Sequence, residues 1–293
     1  MGVLEVQTLG KRCVSYDGVP LEFPTSKARD LLILLLLRAG EYQDRDALAE
    51  QLWPTSPAPK ARHALSTTFW RLRRALPIAD SGGECFLQAG RRGIRFNARA
   101  AYRFDVEAFV RCATLGLEGT IPLDDERYRA LCEALTLYRG DFMDGCYDDW
   151  CLLEHERLQL LLIRVLKRLL RDARRNQAFD QAVEYGQRLL ALDPLQEDVH
   201  RELMRCYAEA GQRSQALLQF QRCRETLRQE LGVEPMPETW ALYRRVRGGE
   251  RSSGPFSERA SVAALDIALG CVSRALEALQ AAWQALQDAR VGL

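Results

Sequence analysis

Residues 60–76 read KARHALSTTFWRLRRAL, and this stretch decides the fold. Its apolar side chains recur at helical spacing, at Leu65, Phe69, Leu72 and Leu76, which predicts an amphipathic helix with one face on a core. The remaining faces carry only basic charges, at Lys60, Arg62, Arg71, Arg73 and Arg74. Such a face indicates a polyanionic partner. The alternative is a solvated helix face with a chance excess of arginine.

The distribution of charge supports the first interpretation. The whole chain of 293 residues has a formal net charge of +1. Between Pro54 and Arg99, however, nine Lys or Arg residues face only two acidic ones, Asp80 and Glu84. The basic footprint is therefore local, as is usual for a nucleic-acid-binding surface.

The elements around the basic helix follow a recognisable order. Alternating apolar residues predict two or three short antiparallel strands before residue 24, the last over Leu21–Phe23. A helix capped by Thr25 or Ser26 and a second helix starting after Asp44 come next. Beyond the basic helix, Phe86–Leu87 and residues 94–96 predict the arms of a hairpin whose tip is GRRG. This order is that of a winged helix-turn-helix, which places one helix in the major groove of DNA.

The C-terminal two thirds of the chain are predicted to be helical. Helices are expected over residues 105–117, 124–138 and 150–174. Further on, Ala173 and Ala182 align with Tyr207 and Ala216 at an offset of 34 residues, which is the period of tetratricopeptide helix hairpins. The fold class is thus mainly α with a small β component. The predicted domains are a winged helix over 1–100, an all-α tetratricopeptide-like repeat domain over 101–248, a linker over 249–257 and an amphipathic helix over 258–293.

The last of these segments carries a heptad pattern. Its apolar residues step by three and four positions, at Val262, Leu265, Leu269, Val272, Leu276, Leu279, Trp283 and Leu286. These residues are candidates for a homodimeric coiled coil. Packing of the same stripe onto the helical repeats is the alternative.

Several classes of function lack their signatures. The sequence contains no phosphate-binding GxxxxGK[ST] loop, no GxSxG elbow and no HExxH helix, so we expect no enzyme. The nine cysteines include no CxxC pair, and the three histidines have no zinc-ligand spacing, so no metal or other cofactor is expected. The longest apolar run, residues 31–37, is too short to span a membrane, and the N-terminus lacks a secretory pattern. A cytoplasmic protein is expected.

Short motifs give this sequence a resemblance to a known family. LWP at 52–54, AR at 61–62, RLRRAL at 71–76 and RRGIRF at 91–96 resemble the OmpR-type DNA-binding domain of the SARP family of bacterial transcriptional activators. LYRGDFMDGCYDDW at 137–150 resembles that family's second module, the bacterial transcriptional activator domain. The resemblance covers about residues 4–246, and the combination of motifs is more specific than any one of them.

The resemblance implies a DNA-binding activator with assigned site residues. Base reading would fall to Ser66, Thr67 and Arg71, and phosphate binding to Arg62, Arg73 and Arg74. The complete DNA-binding set is Lys60, Arg62, His63, Ser66, Thr67, Thr68, Trp70, Arg71, Arg73, Arg74, Arg91 and Arg92. Trp70 departs from the family pattern, and its ring would either contact DNA or pack against a neighbouring helix.

The resemblance also implies partners. Double-stranded DNA would be bound as promoter repeats, with the protein as a possible homodimer. A loop over residues 54–59, with Thr55, Ser56 and Ala58, would contact RNA polymerase holoenzyme at its sigma factor. The alternative function is a tetratricopeptide-type interaction scaffold with incidental affinity for nucleic acid.

Overall fold

The computed structural model describes residues 2–77, 85–119 and 122–248. Within these ranges the chain forms six strands and ten helices, which confirms the mainly α fold class with a small β component. The strands are β1 Leu4–Gln7, β2 Cys13–Tyr16, β3 Val19–Pro20, β4 Leu87–Gly90, β5 Gly93–Phe96 and β6 Tyr102–Phe104. The helices are α1 Ser26–Leu37, α2 Arg45–Leu52, α3 Ala58–Ala75, α4 Asp105–Leu117, α5 Asp125–Leu137, α6 Asp149–Arg175, α7 Phe179–Leu192, α8 Glu197–Glu209, α9 Arg213–Leu231 and α10 Pro237–Gly248.

A four-stranded sheet of order β3-β2-β1-β6 opens the fold. Asp17 and Gly18 turn the chain from β2 into β3 with φ angles of 48° and 78°, which suits the right-handed twist of a tight hairpin. The third strand therefore follows Gly18 directly, at Val19–Pro20. The prediction of a strand over Leu21–Phe23 is wrong, because the short turn places the pairing residues earlier.

The strand β6 was not predicted. It pairs in parallel with β1, with Leu4 opposite Tyr102 and Val6 opposite Phe104. This strand lies past residue 100 and is still part of the N-terminal sheet. The family-based division of the chain after residue 100 stays a prediction, because the sheet joins residues from both sides of it.

Helices α1 and α2 begin at the predicted caps and support α3. The Thr25 hydroxyl accepts the backbone N–H of Ala28, and the Asp44 carboxylate accepts those of Asp46 and Ala47, which satisfies amides that a helix start leaves free. Nearly every apolar side chain of α1 is buried, and α3 packs on both α1 and α2. The helix α3 begins at Ala58, with Pro59 in its first turn. Ala58 is therefore helical, and its predicted place in the preceding loop is wrong, because proline is favoured in a first helical turn.

The hairpin β4–β5 forms at the predicted place. Its register pairs Leu87 with Phe96 and Gly90 with Gly93, so Arg91 and Arg92 are the tip. Gln43, in the connection from α1 to α2, exchanges backbone hydrogen bonds of 2.8 and 3.0 Å with Ile94. The hairpin is thus anchored to the helices as well as to its own strands.

Helix hairpins make up the rest of the described chain. α4 packs on α5, α6 on α7 and α8 on α9, and the repeat-signature residues Ala182 and Ala216 are fully buried. α9 ends at Gly232, which takes a left-handed conformation with φ 69°. Backbone contacts divide the chain into one compact unit, Met1–Thr239, and a second that starts at Trp240. The predicted linker, the C-terminal helix and all eight dimerisation candidates lie outside the described residues.

Candidate nucleic-acid interface

The rotation of α3 about its axis determines which side chains it offers to a partner. Its buried residues are Ala61, Leu65, Thr68 and Leu72, which recur at i, i+4, i+7 and i+11 and form one face of a helix. Phe69, predicted to lie in the centre of the buried stripe, is only half-buried. The outer face is exposed and consists of Lys60, Arg62, His63, Ser66, Trp70, Arg71, Arg73 and Arg74.

This rotation corrects one predicted contact. Thr68 is 5% exposed and lies in the stripe that packs on the core, so it is not available to DNA. A threonine fits such a position because its methyl group can pack among apolar neighbours. Thr67, the adjacent candidate, is half-buried. The predicted DNA-binding set therefore loses Thr68, and the other eleven residues stay predictions.

Arg62 is engaged by an acidic residue on α2. Its Nε and Nη2 donate to the two carboxylate oxygens of Asp46 at 2.5 and 2.8 Å, a bidentate geometry that fixes both side chains. The hydrogen bond to Asp46, together with the charge of that carboxylate, raises the pKa of Arg62. Both side chains are more than half exposed, so the pair lies on the surface beside the basic face. It offsets one of the positive charges that the sequence assigned to phosphates.

Trp70 lies on the exposed face next to the arginines. It is 57% exposed, and the guanidinium carbon of Arg74 lies 4.8 Å from its ring centroid, within the range of a cation–π contact. The alternative that Trp70 packs against a neighbouring helix is therefore wrong. The pair presents an aromatic surface and a cation side by side, one turn apart on α3.

The wing presents two exposed arginines on an anchored hairpin. Arg91 and Arg92 are exposed at its tip. Arg95 fixes its base, since Nε donates to Oε1 of Gln88 at 2.8 Å and the guanidinium carbon lies 4.4 Å from the ring centroid of Tyr42. Sequence reasoning did not assign Arg95 or Tyr42. The motif RRGIRF contains Arg95 but gives no indication that its partners come from the connection between α1 and α2.

The loop between α2 and α3 is short and exposed. Thr55 is exposed and Ser56 half-buried, and the Ser56 N–H donates to the carbonyl of Trp53 at 3.1 Å. Pro57 occupies the N-cap of α3 without a side-chain hydrogen bond. The two polar side chains are thus displayed beside the start of the basic helix.

Other kinds of site lack support in the described ranges. They contain no group of three or more His, Cys, Asp or Glu residues that could hold a metal ion. None of the helices described is long and apolar enough to cross a membrane. The exposed basic face of α3 and the wing are accordingly the site considered below.

Comparison with known proteins agrees with this architecture. Residues 104–247 match the family described as bacterial transcriptional activator domain. The transcriptional regulatory protein MoaR1 of Mycobacterium tuberculosis is 29% identical over 253 residues, which cover 84% of this chain and 79% of that protein. The regulatory protein DnrI of Streptomyces peucetius is 28% identical over 277 residues, covering 89% of this chain and 99% of DnrI.

A solved structure has the same fold. Mycobacterium tuberculosis EmbR, determined in complex with a low-affinity phosphopeptide, superposes with a TM-score of 0.70 over 93% of this chain and 71% of the EmbR chain, at 23% identity. All these relatives bear names of regulators rather than enzymes. The matched domain and these regulators together identify the chain as a SARP-type transcriptional activator.

Proposed function

We propose that this activator binds promoter DNA in a sequence-specific manner, with α3 in the major groove and the β4–β5 wing in the adjacent minor groove. The observation that carries the proposal is the division of α3 into two faces. One face is apolar and packs on α1 and α2, and the other is exposed and has no acidic residue of its own. A helix held in this way by two others is the usual means of reading a major groove.

The exposed side chains divide by their chemistry. Arg71 and Ser66 lie on the outer face, where a guanidinium and a hydroxyl can donate hydrogen bonds to base edges. Arg73 is suited to phosphate oxygens, which fix register without selecting sequence. Arg91 and Arg92 at the wing tip can enter a minor groove, whose negative potential attracts arginine. The Trp70–Arg74 pair can stack on a sugar or contact a thymine methyl group.

Activation would involve the transcription machinery. Thr55 and Ser56 lie beside α3, so a protein bound next to the promoter can reach them while α3 occupies the groove. We assign this loop and the helical domain to contacts with RNA polymerase holoenzyme at its sigma factor. The protein would act in the cytoplasm without a cofactor, and two protomers would occupy half-sites about one or more helical turns apart.

The test is a selection of bound DNA by the full-length protein, followed by anisotropy titrations of two variants. Arg71→Ala should weaken the selected site by about 1–3 kcal/mol and leave random DNA unaffected, because base contacts specify. Arg73→Ala should weaken all sequences to a similar extent. It should also reduce the slope of log K against log salt by about 0.9, because one fewer counterion is released.

The two variants serve as controls for one another, since both remove one exposed arginine from the same helix. Equal binding of the selected site by wild type and Arg71→Ala would remove the assignment of Arg71. An interaction scaffold with incidental affinity predicts a different result for the wild type itself. It would yield no preferred sequence in the selection and only weak, salt-sensitive binding.

A further inference from the structure

The N-terminal half of α6 exposes large apolar side chains although its opposite face is buried. Leu153 is 69% exposed and Leu160 is 55% exposed, whereas Leu158 and Leu162 on the other side are buried in the core. Leu153 and Leu160 are seven residues apart, so they lie on one stripe two turns from each other. Single exposed leucines need no explanation, but a stripe of them on one helix suggests a partner.

Opposite charges bound this stripe. Asp149 lies four residues before Leu153, and Arg164 lies four residues after Leu160. Both are exposed, and neither forms an ion pair with another residue in the described part of the chain. The order along α6 is therefore acid, leucine, leucine, base, with equal spacing on the two sides of the midpoint between Glu156 and Arg157.

This spacing makes the stripe complementary to itself. In an antiparallel pair of α6 helices related by a two-fold axis at that midpoint, Leu153 of one copy faces Leu160 of the other. Asp149 then faces Arg164, and this contact occurs twice because the interface is isologous. A parallel pair would instead place Asp149 beside Asp149 and Arg164 beside Arg164. Complementary charge selects one orientation over the other.

We propose that this face of α6, residues 149–164, is an interface for a second copy of the same chain in antiparallel orientation. The centre of the interface contributes no repulsion, because Arg157 is already bound by Glu154 of its own helix, with N–O distances from 2.5 to 3.1 Å. The stripe extends over about 22 Å of helix. This is small beside the roughly 800 Å² per partner of a standard interface, so the association is weak in solution.

Charge exchange tests the orientation directly. Sedimentation velocity of the full-length protein without DNA, over a series of concentrations, gives the dimer dissociation constant. Asp149→Arg and Arg164→Asp should each raise this constant by about tenfold or more, because each changes two attractive contacts into repulsive ones. The double variant Asp149→Arg/Arg164→Asp restores opposite charges across the axis and should return to within about threefold of wild type.

A matched control is Arg222→Asp, which reverses an exposed charge on α9 that has no ion-pair partner among the described residues. It should leave the dissociation constant unchanged, and circular dichroism should show all variants folded. The proposal is overturned if the wild type stays monomeric throughout, including the case in which a polymerase subunit binds this stripe instead. It is equally overturned if the double variant fails to recover, or if a dimer forms that none of the changes affects. Binding of a single DNA half-site should be equal for all variants, so failure here is distinct from failure of DNA recognition.

Discussion

Arg62 shows how one ion pair changes the charge that α3 presents to a polyanion. Its guanidinium is held by Asp46 at the start of α2, so in the free protein it ties two helices together. Charge counting along residues 60–76 cannot reveal this, because Asp46 lies 16 residues earlier and on another helix. DNA phosphate must compete with a bidentate carboxylate for this arginine. We infer that Asp46 moderates the affinity of the basic face.

Removal of that carboxylate charge should strengthen DNA binding. Asp46→Asn keeps the size of the side chain, releases Arg62 and removes one negative charge from the edge of the interface. We expect affinity for random and selected DNA to rise by about three- to tenfold at low salt, with a salt slope steeper by about 0.9. Anisotropy titrations at several salt concentrations measure both quantities.

The control is Asp125→Asn, an exposed acid in the first turn of α5, which should not change DNA binding. Thermal unfolding should be nearly unchanged for Asp46→Asn, since exposed ion pairs contribute little to stability. Unchanged or weaker DNA binding by Asp46→Asn would show that Arg62 acts only as a tie between α2 and α3.

At the scale of elements, sequence patterns predicted what depends on nearby residues. Helix α4 has the predicted bounds, Asp105–Leu117, and the wing forms around the predicted GRRG tip, because periodicity and turn residues are local signals. The strand β6 was missed because its partner β1 lies almost a hundred residues away. The core choice of Thr68 over Phe69 in α3 depends on how α1 and α2 set the rotation of the helix, which the period alone does not determine.

The wing illustrates a contact that no local pattern contains. Gly93 has φ 134°, and a Cβ at this position would lie 2.0 Å from the carbonyl oxygen of Gln43. The backbone of β5 therefore approaches the connection between α1 and α2 too closely for any side chain. This approach permits the backbone hydrogen bonds between Gln43 and Ile94, which hold the wing at a fixed position beside α3.

Gly93→Ala should detach the wing. The new methyl group must displace backbone rather than a flexible side chain, and alanine also disfavours the φ angle, so we expect a loss of about 2–4 kcal/mol in unfolding free energy. Urea titration measures this loss. Gly211→Ala is the control, because Gly211 has φ 77° and a methyl group there would have no neighbouring atom within 4 Å. It should lose only about 1 kcal/mol, and equal losses for both variants would attribute the effect to backbone strain alone.

At the scale of the molecule, the N-terminal sheet and the first helices of the activator domain are joined by buried polar contacts. Both oxygens of Asp105, the first residue of α4, are used. Oδ2 accepts the N–H groups of Thr8 and Leu9 at 2.7 and 2.8 Å, and Oδ1 accepts the Thr8 hydroxyl and the Val106 N–H at 3.0 and 2.9 Å. Burial raises the pKa of Asp105, and these hydrogen bonds oppose the rise.

The chain after α5 closes on the same place. The Thr8 carbonyl accepts the N–H of Met143 at 2.9 Å, and a Cβ on Gly140 would lie 3.0 Å from Cα of Gly10. Both sides of the junction thus belong to one compact unit, Met1–Thr239. We infer that the winged helix and the first helix hairpins move together, so that DNA bound by α3 fixes the orientation of the activator domain.

Asp105→Asn should therefore weaken the whole unit rather than one element. An amide supplies a single acceptor oxygen, and its NH₂ group would face donors that now point at Oδ1 or Oδ2, so two buried donors lose their partners. We expect a loss of about 2–4 kcal/mol in the free energy of unfolding, measured by urea denaturation. Asp17→Asn is the matched control, because Asp17 accepts one exposed backbone hydrogen bond, from Val3 at 2.8 Å, and its loss should be under about 0.5 kcal/mol. If the two variants lost equal stability, Asp105 would not be what joins the sheet to α4.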